Sequence, residues 1–118
     1  MLTTPAFLPA ASPLPSAALE QVAGEIAADA AVALARAVHE FHTDGLSFET
    51  KMRVGDLIAR LFELRLCASQ IDFYAVARAR GARLLQDRYG RDINARTIAV
   101  LLDAVLEVLR QVVRAELN

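Results

Sequence analysis

The chain has 118 residues, with 13 Lys and Arg against 14 Asp and Glu and a net charge of −1. That is the size of one domain, with too little positive charge for a general polyanion or membrane-surface binder. Apolar residues make up 55% and the mean hydropathy is +0.33. Such a value in so small a domain implies apolar surface covered by a partner as well as by folding, while no segment reaches the ~18 uninterrupted apolar residues of a membrane span.

Residues 1–15 contain all four prolines and no charged side chain. Proline blocks helices and sheet ladders alike, so this stretch reads as a Pro-rich flexible N-terminal arm, extended or disordered, and it lacks the charged start of a signal peptide. Residues 16–118 are expected to form a single helical domain.

The first helix is expected from about Ser16, a candidate N-cap, to Thr43. Leu19, Val22, Ile26, Ala30, Ala33, Ala37 and Phe41 recur on one face, with Glu25, Asp29, Arg36 and Glu40 on the other. Ten alanines lie between Ala17 and Ala37. Asp44 and Gly45 then stop the helix, because glycine tolerates the left-handed conformation of a helix terminus.

The second helix starts after Ser47, another N-cap. Glu49, Arg53, Asp56, Arg60 and Glu63 are spaced alternately by four and three with alternating sign, which marks an exposed edge. Met52, Gly55, Ile58, Leu61, Phe62 and Leu66 lie opposite. The polar edge continues through Cys67 and Gln70, whereas Ser69 followed by Asp72 resembles a capping box. An unbroken helix from Ser47 to Tyr89 would span about 64 Å at ~1.5 Å per residue, far beyond a compact domain of this length. A kink or break is therefore expected near residues 68–71 or at Gly81.

Gly90 ends this region, and Asp92 or Asn94 starts the last helix. That helix is apolar round most of its circumference and must be buried on several sides. The expected fold is all-α: a bundle of three long helices, the middle one kinked or split into two. Homo-oligomerisation through Leu101, Leu102, Val105, Leu106, Leu109, Val112 and Val113 is expected to complete it.

Cys67 is the only cysteine, so no intrachain disulfide can form, which fits a reducing, cytoplasmic setting. Its apolar neighbours suggest a small buried hydrophobe rather than a nucleophile. Twelve Arg against one Lys, with abundant Ala, fits a GC-rich bacterial coding bias. His39 and His42 have a ligand-like spacing but no third or fourth ligand, and histidine near a helix C-terminus is favourable on dipole grounds alone. No phosphate loop, nucleophile–base arrangement or metal set occurs, so neither enzyme activity nor a cofactor is expected.

Two charged groupings remain. Arg65 and Asp72 are two turns apart close to the apolar face and are expected to form a buried ion pair, or with less support a pocket for a small anion. Arg78, Arg80, Arg83, Arg88, Arg91 and Arg96 give residues 78–96 a charge of +4, while residues 16–45 carry −4. Charge complementarity favours an acidic protein surface, in the same or a second chain, as their partner. Tyr74 and Tyr89 flank the cluster, which leaves nucleic acid as the alternative. The functional expectation is a non-catalytic interaction or assembly protein acting as a homo-oligomer. A small helical nucleic-acid accessory subunit and a small-anion-binding bundle are the alternatives.

Overall fold

The structure, a computed structural model, describes residues 16–43, 45–67 and 72–117. They form four helices: α1 (Ser16–Thr43), α2 (Phe48–Cys67), α3 (Phe73–Tyr89) and α4 (Ala95–Leu117). The Pro-rich stretch 1–15 and Ser69 lie outside the described residues. The described residues are thus all-helical, with four helices rather than three, α2 and α3 standing where one middle helix, kinked or split, is expected. The polar stripe past Cys67 and the break expected near residues 68–71 fall outside the described residues; α2 is described to Cys67 and α3 from Phe73. Asp72 occupies the N-cap of α3 without a side-chain capping bond. Gly81 does not interrupt α3; it is buried in the middle of it.

The other boundaries follow local chemistry. Gly45 has φ +86°, the left-handed geometry anticipated for the stop of α1. Ser47 Oγ accepts a hydrogen bond from the Thr50 amide at 3.1 Å, and Asn94 Oδ1 accepts one from the Thr97 amide at 2.8 Å. Each satisfies a donor that its helix leaves unpaired in the first turn. Gly90 caps α3 in the right-handed conformation, its amide donating to the Gln86 carbonyl at 2.9 Å.

Cross-helix pairs fix the topology. Glu20 meets Arg80 and Asp29 meets Arg88, so α1 and α3 run the same way. Asp103 meets Arg78 and Arg110 lies over Tyr74, so α4 returns antiparallel to α3. Glu40 binds back to Ser47 and Thr50, so α2 folds down antiparallel to α1.

The central element is α1, which packs against all three other helices. Ala23, Ala27, Ala28, Ala30, Ala31, Ala33 and Ala37 are buried along it. At the crossing with α3 the backbones nearly touch. A methyl on Gly24 would collide with Arg80 Cβ and lie 3.2 Å from the Arg80 carbonyl carbon; one on Gly81 would sit 3.0 Å from Leu102 Cδ2. Around this seam α2 contributes Leu57, Ile58 and Leu61, and α4 contributes Ile98, Leu102, Val105, Leu106 and Leu109. Each large aliphatic side chain stabilises the fold by roughly 1.5–3 kcal/mol when fully buried.

The face of α2 differs from the sequence expectation. Met52, Gly55 and Leu66 are exposed, and Leu57 and Thr50 are buried instead. Phe41, at the end of α1, is 70% exposed. By contrast α2 and α3, which both lie on α1, barely pack on each other.

Two of the helical glycines, Gly24 and Gly55, make a paired test. Gly55 has no neighbour within 4 Å of where a Cβ would stand. Gly55→Ala should therefore stabilise by roughly 0.5–1 kcal/mol through helix propensity. Gly24→Ala carries the same propensity gain but forces the α1 and α3 backbones apart, and should destabilise by ~1–3 kcal/mol. Chemical denaturation of both variants checks the contrast.

Two carboxylates couple the fold to acid. Hydrogen bonds from the Ser47 amide, then from Thr50 and the Ser47 side chain, hold Glu40 below the usual carboxylate range. The Arg78 guanidinium does the same for Asp103. Both are depressed in the folded state, so their contribution is fully present above the ordinary carboxylate pKa and is lost as pH falls through the folded values. Melting temperature should drop on acidification below the usual carboxylate range, and Glu40→Gln should flatten that drop.

Candidate interaction surface

The six arginines between residues 78 and 96 divide into two sets. Arg78 Nε donates to Asp103 Oδ1 at 2.6 Å, Arg80 Nη2 to Glu20 Oε1 at 3.1 Å, and Arg88 Nη1 lies 3.6 Å from Asp29 Oδ1. Two of these three pairs join α3 to the acidic first helix of the same chain, the complementarity legible in the segment charges. All three are solvent-exposed pairs, a class that contributes ~0–1 kcal/mol each. Arg83, Arg91 and Arg96 are exposed and make no ion pair among the described residues.

Arg65 and Asp72 do not form the expected pair. Asp72 is exposed, and Arg65 Nε is buried without a hydrogen-bond partner. The expectation placed both residues on one continuous helix; with α2 ending at Cys67, they are not on a shared face. Arg65 instead turns its guanidinium towards the Tyr74 ring, 5.8 Å from the centroid, while Arg110 stacks on the same ring at 4.5 Å. Tyr74 thereby joins the end of α2 to α3 and α4 through two cation–π contacts. Cys67, expected to be buried, is exposed as the last residue of α2. His39 and His42 are exposed in the last turns of α1, and no metal-ligand cluster forms among the described residues.

The anticipated α4 interface residues are also redistributed. Leu102, Val105, Leu106 and Leu109 are core of this chain's own bundle, Leu101, Val112 and Val113 are half-buried, and the helix's exposed apolar residues are Val100 and Val108. Val108 and Val112 form one wall of an open groove of about 610 Å³. Val54, Gly55, Ile58, Ala59 and Phe62 of α2 form the other wall, and Leu34 and Ala37 of α1 lie at its upper end. Leu34, Ala37, Val38 and Phe41 recur at helical spacing, so the exposed Val38 and Phe41 continue the apolar strip along α1. Among the described residues two charged groups line the groove, Lys51 on α2 and Glu116 on α4. Gly55 and Ala59, four apart and both exposed, leave the α2 wall nearly bare of side chain. The groove was not legible beforehand because Gly55 and Phe62 were assigned to a covered face.

No protein-family model, no curated protein and no solved structure matches this chain.

With half of the arginine cluster engaged inside the chain, the remaining Arg83, Arg91 and Arg96 form the surface on which the nucleic-acid alternative rests. Filter binding with DNA and RNA at low and moderate salt is expected to give only weak retention. Changing these three residues to Glu should leave it unchanged. Tight wild-type binding that weakens steeply with salt and disappears in the variant would establish a phosphate-tracking surface instead.

Proposed function

We propose that the protein is a non-catalytic helical assembly protein that works by self-association, with the groove between α2 and α4 as the face that meets a second copy. The observation that carries this reading is an open apolar groove whose two charged lining residues, among the described residues, have opposite sign. Contiguous exposed apolar surface on a small domain marks an interaction site, because leaving it in water forfeits the free energy of its burial.

A second copy is the occupant that the charges favour. Closed dimers are isologous, so each residue that contacts a partner group is matched by the reciprocal contact. A two-fold axis midway between Lys51 and Glu116 brings Lys51 of one protomer to Glu116 of its partner and, by the same operation, the reverse. One lysine and one glutamate thereby satisfy both copies. The bare α2 wall at Gly55 and Ala59 admits a close helix approach, and Val108 supplies a projecting apolar side chain to enter it.

Analytical ultracentrifugation of wild type at micromolar concentration is expected to show a dimer. Gly55→Leu places a bulky side chain in the groove at a position with free space around it. It should weaken self-association by at least ~10-fold, or roughly 1.4 kcal/mol, without lowering monomer stability. A stable wild-type monomer, or a dimer indifferent to Gly55→Leu, would overturn this assignment.

A further inference from the structure

On the opposite flank of α2 the weak packing between α2 and α3 leaves a second opening, a cleft of about 400 Å³ above α1. Its chemistry contrasts with the apolar groove. Three arginines line it from three different helices: Arg36 of α1, Arg53 of α2 and Arg88 of α3. Val32, Ala33 and Tyr89 supply apolar lining, and Asp29 and Glu49 are the acidic members. A cleft of this size, part apolar and with several converging polar groups, has the make-up of a small-molecule site.

The three arginines differ in how they are held. Arg88 has Asp29 at 3.6 Å. Arg36 and Arg53 make no ion pair among the described residues, although Glu40 follows Arg36 by one turn and Glu49 precedes Arg53 by one turn. Glu40 acts on Arg36 only weakly and through space; its carboxylate accepts from the Ser47 amide at 3.1 Å and from Thr50 Oγ1 at 2.9 Å. That network ties the start of α2 to the end of α1 and so fixes the wall that carries Arg53. Among the described residues the lining holds three positive and two negative side chains, an excess of one positive charge.

We propose that this cleft binds a small organic oxyanion, a carboxylate or phosphoryl group, between the guanidiniums of Arg36 and Arg53. A guanidinium presents two parallel N–H donors that match the paired oxygens of either group. Two such forks on opposing helices clamp one anion and relieve their mutual repulsion. Arg88, anchored by Asp29, sets the positive potential at the back of the cleft. The ligand's carbon skeleton lies on Val32, Ala33 and the Tyr89 ring. The occupant is a small molecule rather than a polyanion, because Asp29 and Glu49 inside the cleft repel a continuous phosphate chain. This site is separate from the α2–α4 groove, and its occupancy does not depend on self-association.

The test uses the full chain and amide-detected NMR titration, first with inorganic phosphate and separately with acetate, each against sodium chloride at matched ionic strength. Saturable shifts confined to residues of the cleft are expected with at least one of the two probes, and which probe saturates at lower concentration distinguishes phosphoryl from carboxylate recognition. Arg36→Gln and Arg53→Gln should each raise the midpoint by ~10-fold or more, while Arg83→Gln, on the exposed side of α3, should leave it unchanged. Both arginines are exposed, so the folded spectrum is expected to persist in each variant. Shifts no larger than those with chloride for both probes, or midpoints unaltered by Arg36→Gln and Arg53→Gln, would overturn the assignment.

Discussion

The fold depends on how closely α1 and α3 approach. Gly24 and Gly81 remove the side chains that would hold the two helices apart, and the alanines along α1 keep the neighbouring positions thin. Close backbone approach puts many weak dispersion contacts at optimal distance, which compensates for the small area of each alanine. It also explains why α1 can be central. A helix of leucines would need wide spacing on every side, whereas an alanine helix admits three neighbours within one small bundle. The larger residues of α4 then fill what remains, with Leu102 against the seam itself.

Parallel travel of α1 and α3 has an electrostatic consequence. It brings the acidic residues of α1 into register with the arginines of α3, so Glu20 and Asp29 meet Arg80 and Arg88 at successive levels. These exposed pairs add little stability individually. Their effect is on alignment: sliding α3 along α1 would separate both pairs at once and drive side chains into the Gly24 contact. The sequence asymmetry of −4 and +4 is thus met in part within the chain, by these two pairs, while Arg83, Arg91 and Arg96 make no ion pair among the described residues.

Several features were legible because their cause is local. The Ser47 and Asn94 caps, the left-handed Gly45 and the apolar periodicity of α4 each depend on a few neighbouring residues. The all-helical class follows from the same periodicities. What failed depended on tertiary placement. Leu66 and Cys67 look buried by composition, yet they fall in the last turn of α2 and are exposed. Arg65 and Asp72 looked paired only on the assumption of a continuous helix. Gly81 looked like a weakness because helix propensity counts the missing side chain as a loss, whereas here its absence is what admits Leu102 and Ala27. Neither candidate surface was legible, since each is a gap between helices, and a gap is a property of packing rather than of any segment.

The uneven attachment of α2 gives the molecule a built-in order of opening. α1, α3 and α4 pack on one another in every pairing, whereas α2 rests mainly on α1, lightly on α4 and barely on α3. Its two ends are pinned by polar contacts, Glu40 with Ser47 and Thr50 at one and Arg65 over Tyr74 at the other. Regions with few buried neighbours open at a fraction of the global unfolding free energy. Amide protons in α2 should thus exchange with solvent by a subglobal route that spares the other three helices, making the bundle a three-helix body carrying a detachable fourth.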